Sequence, residues 1–255
     1  MTSPPRAVLV TGAAHRIGRA MALGFARDGW AVAVHYLTSE VPARALVAEI
    51  ERAGGHAAAI RADLGLEIEV TDLVGRAAAM IGPVTCLVNN ASVFERDGAL
   101  DATRASWDAH IETNLRAPFV LTQGFARQLP GGIEGNVVNI LDQRVKNLTP
   151  HFTSYTVSKA GLWALTQSLA LALAPRIRVN AIGPGPVLPS KRQTADQFAT
   201  QYRGTPLQRP TTPDEIYAAA RYLIHAPSVT GQILALDGGQ HLAWAHPRDP
   251  GRADE

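Results

Sequence analysis

The feature that most constrains this chain is a rhythm. Short apolar runs alternate with amphipathic segments over almost its whole length. The runs are AVLV (7–10), AVAVHY (31–36), AAAIRAD (57–63), VTCLVNNA (84–91), GNVVNIL (135–141), IRVNAI (177–182) and QILALD (232–237). Between them, helical spacing predicts helices at 19–27, 40–53, 67–81, 103–129, 153–173 and 213–225, with Gly54-Gly55, Gly82-Pro83 and Pro130-Gly131-Gly132 as stops. Strands that are apolar throughout, separated by helices, belong in a parallel sheet covered on both faces. Right-handed crossovers then give a single-domain α/β fold, a doubly wound parallel sheet of the Rossmann type with about seven strands. One domain is expected to span residues 1–255, with an irregular Pro/Gly-rich loop at 183–212 and a polar tail at 243–255.

Composition removes other classes. Hydrophobic residues make up 46% and charged residues 18% of 255, as in an ordinary globular protein. A net charge of +2, with no basic run interleaved with aromatics, argues against nucleic acid as a partner. One cysteine, Cys86, excludes a disulfide framework and multi-cysteine metal sites, so no metal is expected. No apolar segment approaches the ~20 residues that span a bilayer. MTSPPR leads into a strand without a secretory h-region, so the expected compartment is the cytoplasm.

The first strand turns into the first helix through TGAAHRIG (11–18). Gly12 and Gly18 let backbone amides approach a pyrophosphate at a helix N-terminus, where the dipole favours negative charge. Asp63, closing the third strand, suits an adenine amino group. The second strand ends in HYLTS, with no acid before Glu40. A carboxylate there would bind the ribose hydroxyls of NAD and repel a 2′-phosphate. Thr38 and Ser39 offer hydroxyls instead, and Arg16 and His35 are expected as positive donors. The inferred cofactor is NADP(H).

Tyr155 and Lys159, four apart, share a helix face. An ammonium beside a phenol, next to a cationic nicotinamide, is expected to favour the phenolate and move its pKa from ~10 toward neutrality. Together TGAAHRIG, NNAS (89–92), Asn114, YTVSK (155–159), NAIGPG (180–185) and DGG (237–239) resemble the short-chain dehydrogenase/reductase family. The resemblance runs from Ala7 to about Leu242. It implies Tyr155 as general acid, Lys159 as its pKa-lowering partner on the nicotinamide ribose, and Asn114 in a proton relay. It also places cofactor contacts at Ile17, Tyr36, Leu64, Asn90, Ala91, Ser92, Pro184 and Gly185.

The departures are informative. The family usually has Ser where this chain has Asp142, and a carboxylate would repel a ketone oxygen. A carboxyl beside Tyr155 suits a C=N bond, whose nitrogen gains a proton as its carbon gains hydride. TGAAHRIG with Arg16, VHYLTS, NNASVF with Ser92 and Phe94, and NILDQ with Asp142 resemble the pteridine reductase branch, including dihydromonapterin reductases. There the residue matching Phe94 stacks a pterin on the nicotinamide, and those matching Ser92 and Arg16 contact pterin and phosphates. Thr38 departs from that branch's arginine. The small-molecule substrate is therefore expected to meet Ser92, Phe94, Asp142 and Tyr155. Two other readings stand beside this one. An NADP(H)-dependent carbonyl or alcohol oxidoreductase would tolerate Asp142, and a nucleotide-sensing protein would not turn over. The family also implies a homotetramer through the helices at 103–129 and 153–173, and a tail whose Trp244 or Arg248 reaches a neighbour's site.

Overall fold

The computed structural model describes residues 6–242; the expectations for Trp244, Arg248 and the tail lie outside them. Seven parallel strands form one sheet in the order β3-β2-β1-β4-β5-β6-β7. They are β1 Ala7–Val10, β2 Ala31–Tyr36, β3 Ala57–Arg61, β4 Cys86–Asn89, β5 Gly135–Ile140, β6 Ile177–Pro184 and β7 Ile233–Leu236. The helices are α1 Arg16–Arg27, α2 Glu40–Arg52, α3 Glu67–Thr71, α4 Leu73–Ile81, α5 Arg104–Ile111, α6 Ala117–Gln128, α7 Thr153–Leu173, α8 Ala195–Arg203 and α9 Pro213–His225.

Alternation along β1 shows why the runs are apolar throughout. Val8 and Val10 join a core with Phe25, Trp30 and Ile216. Ala7 and Leu9 enter a second core with Leu87, Phe125 and Val137 on the opposite face. Strand order reverses between β1 and β4, so their carboxyl ends border the crevice where such sheets bind ligands.

The differences from expectation have local causes. Helix α1 begins at Arg16, three residues early, and Arg16 itself has a left-handed φ of 53°. The third helix is split at Asp72 into α3 and α4. The long helix at 103–129 is α5 and α6 joined by a π turn, Glu112–Arg116, with Ala117 N–H donating to Glu112 O. Pro118 follows immediately and has no N–H for an α-type bond to Asn114 O. The irregular loop contains α8, opened by a Thr194–Gln197 capping box that the Pro/Gly count obscured.

Candidate active site

The candidate catalytic side chains come from three elements meeting at the sheet's carboxyl edge. Asp142 follows β5 and caps a short 3-10 turn, Gln143–Val145, accepting Arg144 N–H at 2.8 Å through Oδ1. Tyr155 stands in the first turn of α7, and its hydroxyl donates to Asp142 Oδ2 at 2.9 Å. The Arg144 guanidinium is 4.0 Å from the same oxygen. Lys159, one turn on, donates from Nζ to Ile140 O at 2.9 Å and lies 5.7 Å from the Tyr155 ring centroid.

The expected drift of Tyr155 toward neutrality is absent from the chain itself. Burial first, then the Asp142 charge and hydrogen bond, raise the phenol well above its ordinary value, against the pull of Arg144. Burial brings the Lys159 ammonium down to about 8, with Asp142 pulling it back up. The geometry therefore holds a protonated phenol against a carboxyl group.

Asn114 lies buried in the π turn. Its Oδ1 accepts from Val93 N at 2.8 Å and from Ser92 Oγ at 3.2 Å, while Nδ2 donates to Val93 O at 2.9 Å and Ser158 Oγ at 3.1 Å. This fixes the segment that carries Ser92 and Phe94. The Phe94 ring stacks on Phe152 at 4.5 Å and meets Tyr155 edge-on at 4.6 Å. Guanidinium groups of Arg144 and Arg192 lie 5.7 and 5.0 Å from its centroid. Phe152, Arg144 and Arg192 were not singled out from sequence. Proximity to Asp142 and Tyr155 in the chain was the only signal for the first two.

At the nucleotide end, the glycines fit a backbone cradle. Gly12 has φ +61°, and a Cβ there would sit 3.0 Å from Ala91 Cα. A Cβ on Gly18 would meet Gly12 O at 2.3 Å and Asn90 Nδ2 at 2.6 Å. Asn90 braces this turn from its side chain to Thr11 O and Gly12 O, and Asn90 and Ala91 amides both donate to Thr11 Oγ1. Among the described residues no side chain caps the α1 N-terminus, and its first turn holds no acid, so its amides remain available to an anion. Ile17 is half-buried in that turn. Gly185 N–H donates to Leu236 O just after Pro184. Asp63 Oδ1 is taken by Gly65 N–H, and Leu64 is buried. Thr38 is exposed and Ser39 half-buried, while Tyr36 is buried. These residues fit a dinucleotide whose ribose end meets no carboxylate before Glu40.

Two expectations change here. His35 is not a positive donor. It is buried, its Nδ1 accepts Gly12 N–H at 3.0 Å, its Nε2 bonds Ala62 O at 3.0 Å, and burial lowers its pKa to about 4. Only a neutral ring satisfies both partners. Arg16 points across the crevice, donating to Pro189 O at 2.8 Å and Leu188 O at 3.1 Å. Among the described residues no cluster of His, Cys, Asp or Glu could hold a metal ion, and no helix is long and apolar enough to cross a membrane.

Residues 12–241 match the family model described as enoyl-(acyl carrier protein) reductase. FolM alternative dihydrofolate reductase 1 from Brucella canis, solved with NADP, is 47% identical, with a TM-score of 0.92 over 95% of this chain and 96% of that one. This chain belongs to the short-chain dehydrogenase/reductase family. A second short-chain dehydrogenase, from Burkholderia cenocepacia J2315 and also solved with NADP, is 35% identical, with a TM-score of 0.86 over 94% of this chain and 98% of that one. L-rhamnose 1-dehydrogenase (NAD(P)(+)) of Sphingomonas sp. is 34% identical over 245 residues, 93% of this chain and 96% of the relative. Family membership makes the chain an oxidoreductase.

Proposed function

We propose that this short-chain reductase uses NADPH to reduce a C=N bond of a pterin or dihydropterin. The 2.9 Å bond between Tyr155 and Asp142 carries the reading. The likeness to the Brucella FolM protein supports it. A reduced nicotinamide, when bound, supplies the hydride. Gly12, Gly18 and the α1 amides would hold the pyrophosphate, Thr38 and Ser39 would meet the phosphate-bearing ribose, and Lys159 would hold the nicotinamide ribose.

Phe94 and Ser92 border the place where a flat ring would lie. Tyr155 and Asp142 carry the proton for its nitrogen. Hydride on carbon and this proton on nitrogen turn C=N into CH–NH. Burial and the neighbouring carboxylate keep the Tyr155 phenol protonated, which suits a donor. Asn114 connects the site to Ser158.

The second reading, a carbonyl or sugar oxidoreductase, draws on the rhamnose dehydrogenase relative. The two separate in one assay: NADPH oxidation with dihydrobiopterin, dihydromonapterin, dihydrofolate and a ketone panel, for wild type and Asp142→Ser. The pterin reading expects pterin turnover that falls about a hundredfold or more in the variant. Ketone reduction alone, unchanged or improved by Asp142→Ser, would overturn it.

A further inference from the structure

The mechanism leaves unused a buried polar cluster beneath Tyr155: Asp97, Ser106, His110 and Ser154. All but Ser106 are buried. Its members come from the loop after β4, from α5 and from α7.

Helix α7 starts in an unusual way. Its N-cap residue, Phe152, is left-handed at φ 60° and provides no capping side chain. The amides of the first turn still need acceptors. One residue supplies them, 57 positions before Ser154. The backbone carbonyl of Asp97 accepts from Phe152 N at 2.8 Å and Thr153 N at 3.4 Å. Its carboxylate takes Ser154 N at 3.1 Å through Oδ1. Oδ2 accepts from Ser154 Oγ and, at 3.0 Å, from Ser106 Oγ. Burial opposes ionisation of Asp97, but the Ser154 and Ser106 bonds hold its carboxyl below the usual range. A carboxylate at this end of a 21-residue helix also meets the favourable end of the dipole.

His110 ties the cluster back to the substrate side. Its Nε2 accepts Glu95 N–H at 3.1 Å, next to Phe94, so the proton is on Nδ1. That nitrogen lies 2.8 Å from Ser106 O and 2.7 Å from Ser154 Oγ. Ser154 is wholly buried and its hydroxyl proton is committed to Asp97, so the trio is no hydrolytic nucleophile. It is an anchor. The next residue along α7 is Tyr155.

We infer that Asp97 is a positioning residue: by capping α7 from a distant loop, it fixes the Tyr155 hydroxyl against Asp142 and aligns Phe94 beside it. The inference rests on Tyr155 being the proton donor of the proposed reductase. A shift of about an ångström in a catalytic group costs about a hundredfold in rate, so the cap acts through geometry.

The test combines a mutant cycle with hydrogen exchange. Asp97→Ala is compared with Asp97→Asn, which keeps one acceptor oxygen, and with Ser154→Ala, alone and in a Tyr155→Phe background. Rates are measured on dihydrobiopterin or on whichever ketone the wild type reduces. Amide exchange at residues 153–156 is followed in each variant with NADPH present. In the Ala variant we expect a kcat loss of about ten- to hundredfold, KM for NADPH within about twofold, and faster exchange at 153–156. Asp97→Asn is expected to regain most of the rate. In the Tyr155→Phe background, loss of Asp97 has no further effect, as for groups acting through one another. Unchanged kcat, an equal added loss without the Tyr155 hydroxyl, or unaltered exchange overturns the inference. Should Asp97→Ala not fold, Asp97→Asn and Ser154→Ala carry the same comparisons. Full activity in Tyr155→Phe alone would instead remove the assignment of the proton donor, a separate result.

Discussion

His35 shows how a residue's role depends on its surroundings. At the end of β2 it was a candidate phosphate donor. In the structure it joins the Gly12 turn to the segment after β3 as a neutral ring, so it shapes the cradle without charging it. Its folded pKa of about 4 lies below its unfolded one of 6.5. Between these values the unfolded chain binds a proton that the fold refuses. The stability from this residue is complete above about pH 6.5 and is lost as pH falls toward about 4, amounting to about 3 kcal/mol. Urea unfolding at pH 4.5, 5.5, 6.5 and 7.5 is expected to show that slope. His35→Gln, whatever its cost at pH 7.5, is expected to flatten it. Equal slopes in both proteins would refute the assignment.

At the scale of elements, the π turn between α5 and α6 is the irregularity that bears on the candidate site, because it carries Asn114. Ordinary α geometry would rotate Asn114 relative to α6 and break its bonds to Val93 and Ser158. Pro118 is the residue that forbids the α ladder there. Pro118→Ala supplies the missing amide. We expect stability to change by no more than about 1 kcal/mol, the regained amide bond offsetting the unfolded-chain entropy that proline removed, while kcat falls about threefold or more as Ser92 and Phe94 lose their anchor. Thermal melts and steady-state kinetics read the two effects separately. Unchanged kcat would show that Asn114 holds its place without the proline. Helix boundaries such as α7, Thr153–Leu173, were legible because spacing is local. The π turn was not, because periodicity over 103–129 averages out the single extra residue it inserts.

Across the whole molecule, the two helix faces expected to bind copies of this chain carry exposed apolar side chains. Trp107 on α5 and Val157 and Leu171 on α7 are among them. Val157 and Leu171, two heptads apart, share one face of α7, and that face suits association. We propose a homotetramer. Light scattering coupled to size exclusion is expected to give four times the 27.2 kDa chain mass, and Leu171→Glu to lower it. A monomer at micromolar concentration would dismiss the proposal.

The sequence by itself determined the alternation of strands and helices, the parallel sheet, the glycine turn and the shared face of Tyr155 and Lys159. Each depends on periodicity or on spacing within one helical turn, and burial on both faces of the sheet writes that pattern directly into the residues. Only the tertiary structure decided that Asp142 and Tyr155, thirteen positions apart across a loop, come within a hydrogen bond, that His35 is neutral, and that Asp97 caps α7. Those outcomes depend on which polar groups lose water together. That is a property of packed elements, and no single segment of chain contains it.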